Sequence, residues 1–156
     1  MHERLLIVGI GTEMYGDDAA GLTVARSLKS IELPPAVRIV EFSGDGASLI
    51  NLWEDEERVV LIDCVSAQTV PGTIMAIDLL HGGLPSHWRP STHSFGVAEA
   101  VELARIMGRL PSSLMLYGIQ GKVHDHGRGL SPDVRVAVEK VAAMIELELL
   151  TSLEHS

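Results

Sequence analysis

Cysteine is nearly absent from this chain of 156 residues. Cys64 is the only one, so no internal disulfide can form, and a reducing compartment, the cytoplasm, is the natural setting. Aromatic residues are scarce at 4%, which leaves little material for a base-stacking platform. Positive charge is short as well: 12 Lys and Arg face 21 Asp and Glu, a formal net charge of −9, and no run of basic residues concentrates what there is. These counts argue against nucleic acid and against an anionic membrane surface as partners. Long hydrophobic runs are missing too. The apolar stretch after Arg4 ends at Gly9, too short for a signal peptide or a membrane span. No linker rich in Pro, Gly or Ser divides the chain, and no repeat recurs. What remains is an ordinary globular composition, 46% hydrophobic and 21% charged. The length favours a single domain over residues 1–156, large enough to bury a full core unaided.

Short β-rich runs alternate with helical patterns, which predicts an α/β layered fold. Leu5-Leu6-Ile7-Val8 and Arg58 to Asp63 are apolar runs without alternation, as expected of strands covered on both faces. Val37 to Val40, Gly72 to Asp78 and Ser113 to Ile119 are three further strands. Helices are expected from the Asp17-Asp18 pair to about Ser30, over Ala47 to Trp53, from Thr92–Ser94 to Gly108, and from Ser131-Pro132 onward. In the last helix Val134, Val138, Val141, Ile145 and Leu149 form the inward stripe. The segment with Gly82-Gly83, Pro85 and Pro90 is a loop of unusual length, and loops of that kind are often functional.

Three segments carry candidate chemistry. Gly9-Ile10-Gly11 after a strand has the start of a dinucleotide fingerprint, but Met14 stands at its third glycine. Asp17 and Asp18 also lie where a helix N-terminus would meet a pyrophosphate, and like charges repel. Taken alone, the two aspartates read as helix caps. Asp63 ends a buried apolar strand, where a carboxylate is costly unless paired or bound, or else caps the following turn. His93 follows the long loop, where an ordinary surface histidine is the bland reading. If the fold joins the three, two carboxylates about 4 Å apart repel by about 4 kcal/mol at an effective dielectric near 20. Lys and Arg are scarce in these segments, so a divalent cation held by an acid of the Asp17-Asp18 pair, by Asp63 and by His93 is the natural counter-charge. A mixed O/O/N set suits Zn, Ni or a similar first-row metal better than Cu(I).

Cys64 is a rival nucleophile, but strand alternation turns it away from the face Asp63 uses, as an inert buried thiol would be. His124-Asp125-His126 reads as a solvated loop near the site or as a second metal site. His81 and His87 lie in the long loop without identifiable partners. Trp53 reads as a residue packing a helix on the sheet, and Trp88 could mark a partner surface.

Taken in order, these blocks resemble the hydrogenase maturation endopeptidases, which trim a C-terminal extension from the large subunit of nickel–iron hydrogenases. The resemblance runs from about Arg4 to Leu147. It rests on Gly9-Ile10-Gly11 with Asp17-Asp18, on Leu61-Ile62-Asp63 with Pro71-Gly72-Thr73, on Ser91-Thr92-His93, and on Gly118-Ile119 with Gly129-Leu130-Ser131-Pro132. Thr12 and Ala19 depart from it, standing where the family usually has Asn and Gly, although Gly21 fits.

The resemblance implies a three-layer α/β/α fold, phosphorylase/hydrolase-like, with a five-stranded, mostly parallel mixed sheet of order 2-1-3-5-4 and strand 4 antiparallel. It further implies Asp18, Asp63 and His93 as catalytic and metal-engaging residues, with Asp17 as a supporting or general-base group. The metal it implies is nickel carried by the substrate, for which Zn or Cd could substitute. The implied partner is the hydrogenase large-subunit precursor, met by a monomer or weak homo-oligomer. Two alternatives stay open: a metal-sensing chaperone that binds the precursor without cutting it, and a small-molecule hydrolase on the same fold using bound Zn or Cys64.

Overall fold

Apolar runs without alternation become the central strands. β1 (Leu5–Ile10) is buried at all six positions, and β3 (Arg58–Ser66) is buried from Val59 to Val65. The structure is a computed structural model and describes residues 4–12, 16–43, 46–53, 58–84, 89–90, 96–122 and 129–154. β1 pairs in parallel with β2 (Val37–Phe42) on one side and with β3 on the other. β3 continues in parallel to β5 (Ser113–Gln120), and β4 (Ile74–Asp78) runs antiparallel along the outer edge of β5. The order is therefore β2-β1-β3-β5-β4 with β4 antiparallel, as the resemblance implied.

Among the described residues, two helices cover each face. α1 (Ala20–Lys29) and α4 (Pro132–Glu154) enclose one core with Leu5, Ile7, Val60, Ile62 and Ile119. The expected stripe of α4 is buried throughout, from Val134 to Leu149. α2 (Gly46–Leu52) and α3 (Val97–Ile106) enclose the other core with Leu6, Val8, Leu61 and Leu116. Each Leu or Ile so buried contributes about 1.5–3 kcal/mol relative to exposure. Trp53, the residue after α2, is fully buried in this second core among helix and strand residues, and its indole N–H donates to the Arg109 carbonyl at 3.1 Å.

The structure moves several expected boundaries. β3 runs three residues past Asp63, to Ser66, because β5 keeps pairing with it through Val65. Arg89–Pro90, expected within the long loop, pairs antiparallel with Val65 and Ser66. α3 starts at Val97 rather than at residues 92–94, where Gly96 N–H donates to Glu99 Oε2 at 2.9 Å. α3 ends as expected before Gly108, whose φ of +66° suits glycine.

Two glycines set how closely α1 approaches the sheet. A side-chain carbon on Gly21 would overlap the carbonyl oxygens of Ile10 and Ile62, and one on Gly9 would overlap that of Gly21. The start of α1 thus lies directly on the carboxyl halves of β1 and β3.

Candidate functional site

The chain leaves β1 to one side for β2 and returns to the other side for β3. The boundary of β1 and β3 is therefore the switch point of the sheet, where a crevice opens beyond the carboxyl ends of the strands. Two acidic segments meet there. Asp17 and Asp18 lie in a single 3-10 turn, Gly16–Ala19, between β1 and α1. The entry residue Gly16 has φ of +61°, and Thr12 N–H donates to the Asp18 carbonyl at 3.2 Å, folding the connection back on itself. This turn packs against β3.

Asp63 is a correction to the sequence reading: it lies inside a strand, not at its end, and is 0% exposed. Its register partner on β5 is Gly118, which adds no side chain beside it. Asp18 is 3% exposed. Asp18 Oδ1 and Asp63 Oδ2 are buried and, among the described residues, accept no hydrogen bond, although both residues engage neighbours in other ways.

Asp17, although adjacent in sequence, is employed differently. Its Oδ1 accepts from Ser131 N–H at 2.7 Å, and its Oδ2 accepts from Lys122 N–H at 2.8 Å and from Ser131 Oγ at 2.9 Å. Both oxygens are committed to donors, which weighs against the general-base role expected for it.

Cys64 lies on the opposite face of β3 from Asp63, in the core under α1 and α4. Burial pushes its thiol pKa far up, and the carboxylates of Asp63, Asp18 and Asp17, in that order, push it further. The thiol therefore stays protonated at neutral pH, unlike a catalytic cysteine. The same influence places all three carboxylates within electrostatic reach of one buried point.

His93, His87, Trp88 and the run His124-Asp125-His126 lie outside the described residues. The described chain on either side of His93 is Pro90, paired with Val65 two positions beyond Asp63, and Gly96 at the head of α3. His81, for which the sequence offered no partner, pairs through Nδ1 with Asp78 Oδ2 at 2.7 Å. Asp78 is opposite Met115 near the start of β5, so this pair belongs to the other end of the sheet. Among the described residues no three His, Cys, Asp or Glu side chains form a metal cluster, and no helix is long and apolar enough to cross a membrane.

The sequence reading missed the Asp17 clamp and the Gly9–Gly21 approach. The clamp joins residues more than a hundred positions apart, which no local pattern reveals. The approach was foreshadowed only by glycine standing at position 21 inside an otherwise regular helix.

Comparison with known proteins agrees with this fold. The family model for hydrogenase maturation protease matches residues 22–148. The chain is 28% identical over 152 residues to the hydrogenase expression/formation protein HupD of Rhodobacter capsulatus, covering 94% of this chain and 71% of the relative. It is 27% identical over 140 residues to the hydrogenase 2 maturation protease of Escherichia coli, covering 87% and 84%. The solved [NiFe] hydrogenase maturation protease HybD from Thermococcus kodakarensis superposes with a TM-score of 0.74 at 27% identity, covering 94% of this chain and 99% of that one.

Proposed function

The chain belongs to the hydrogenase maturation protease family, a family of endopeptidases, and from that premise we propose that it removes the C-terminal extension of a nickel–iron hydrogenase large-subunit precursor after nickel has been inserted. Asp18, Asp63 and His93 recognise the nickel that the precursor carries, so that cleavage depends on metal loading. The metal is part of the substrate, and the donor set fits it: two carboxylates and an imidazole suit a first-row divalent ion and leave positions for the precursor's own ligands. The reaction belongs in the cytoplasm, where the lone Cys64 keeps its thiol.

The observation that supports this reading is the burial of Asp18 and Asp63, carried on a turn and a strand that pack against each other. The acids come from two separate elements and are almost wholly buried where β1 and β3 meet. Two carboxylates in so dry a place favour a cation between them. Burial and protonation of Cys64 weigh against the thiol hydrolase. The test is cleavage of the purified nickel-loaded precursor, followed by mass spectrometry, with the native chain and with Asp18→Asn, Asp63→Asn and His93→Ala. Native chain releasing the extension while each variant loses at least about 100-fold in rate supports the reading, since each removes a group acting at the reacting centre. A stable complex with no product identifies a non-cutting chaperone instead. Undiminished processing by His93→Ala removes that residue from the site.

A further inference from the structure

We infer that Asp17 is a positioning residue for this reaction, the fixed post that aims Asp18 into the crevice. The inference rests on the proposed role of Asp18 and adds a residue to it. A single 3-10 turn has few internal hydrogen bonds and poor geometry for them, so Gly16–Ala19 needs outside support to hold one orientation. Asp17 supplies it. Three donors converge on its carboxylate, at 2.7, 2.8 and 2.9 Å, from two segments that are remote from it in sequence. One is Lys122, just past the end of β5; the other is Ser131, just before α4.

Each partner is itself anchored. Gly121, next to Lys122, donates its N–H to the Val65 carbonyl at 3.1 Å, tying the end of β5 to the end of β3. Ser131 accepts from Arg135 N–H at 2.9 Å in the first turn of α4, where a carboxylate is also favoured by the helix dipole. In a 3-10 turn consecutive side chains project about 120° apart. Fixing Asp17 toward β5 and α4 therefore fixes Asp18 in a different direction. Gly121 sharpens the fit, because a side-chain carbon there would come within 3.4 Å of Asp17 Cβ and 2.6 Å of Cys64 Sγ. Glycine at position 121 is what lets the chain carrying Lys122 approach Asp17 this closely. With its oxygens filled by donors, Asp17 acts through Asp18 and not on the substrate.

The experiment is single-turnover cleavage of nickel-loaded precursor, with the chain in saturating excess. That rate constant reports the folded complex and does not change with the fraction of chain that is folded, so a purely structural role leaves it untouched. Asn at position 17 presents an amide N–H₂ to at least one of the three donors and loosens the clamp. Asp17→Asn is expected to slow cleavage about 10- to 100-fold, as a displacement of about 1 Å at a reacting centre does. Ser131→Ala, which removes only the hydroxyl contact, is expected to slow it several-fold. Wild-type rate constants for both variants, with Asp18→Asn inactive, overturn the positioning role and leave the site standing. A wild-type rate for Asp18→Asn overturns the site itself, and the inference with it.

Discussion

At the scale of single residues, Asp17, Asp18 and Asp63 each act electrostatically on Cys64, yet the four differ in what surrounds them. Asp17 is held by three donors, Asp18 and Asp63 are almost wholly buried, and Cys64 is sealed in a core. Iodoacetamide should therefore leave Cys64 unmodified in the native chain up to about pH 8 and label it rapidly once guanidinium unfolds the protein. Fast labelling of the native state would contradict the burial described. The thiol also limits its neighbour. Gly121→Ala should lower stability by about 1–3 kcal/mol through its clash with Cys64 Sγ, and Cys64→Ala in the same chain should recover part of that loss. Strictly additive denaturation energies would show that the two side chains do not meet. From the sequence, Asp63 stood out because an acid in an apolar run needs a reason. Asp17 and Asp18 were told apart only by family resemblance, because the contacts that separate them physically come from Lys122 and Ser131.

At the scale of elements, the site depends on how closely α1 lies on the sheet. Gly21 has backbone on two sides, the Ile10 and Ile62 carbonyls, and neither can yield as a side chain can. Gly21→Ala should destabilise the chain by about 3 kcal/mol or more and move the turn that carries Asp18, so cleavage falls even where the variant stays folded. A denaturation midpoint and a cleavage rate both equal to wild type would show that the approach is not tight. The strands were legible where burial on both faces leaves an unbroken apolar run, as in β1 and β3. Their ends were not. β3 passes Asp63 because β5 and Arg89–Pro90 continue to pair with it, and pairing partners are tertiary information. The start of α3 was misplaced for a related reason: Ser and Thr at 91–94 look like caps, whereas Gly96 with Glu99 makes the observed one.

At the scale of the whole molecule, the layered architecture followed from alternating strand and helix patterns, while the strand order came from family resemblance. Two weak acids within this architecture make the chain sensitive to alkali. Tyr117 is pushed up to about 12 from an ordinary 10.0 by burial and by its 2.7 Å hydrogen bond to Glu148, and Cys64 is raised from 9.0. In both cases the folded state holds a proton that the unfolded chain releases. Their contribution to stability is complete below the unfolded values and is lost as pH rises through about 9 to 12. The melting temperature should fall steadily across that range, and Tyr117→Phe should flatten the part above pH 10. A flat profile for the native chain would exclude the linkage.

The whole-molecule claim is that a buried Asp18–Asp63 pair, with His93, reads a metal carried by the precursor. The most direct measurement compares cleavage of the same precursor with and without nickel, at equal concentration, using chain purified free of metal. The account predicts rapid release of the C-terminal extension from the nickel-loaded form and none from the metal-free form over the same time. Equal release from both would contradict it.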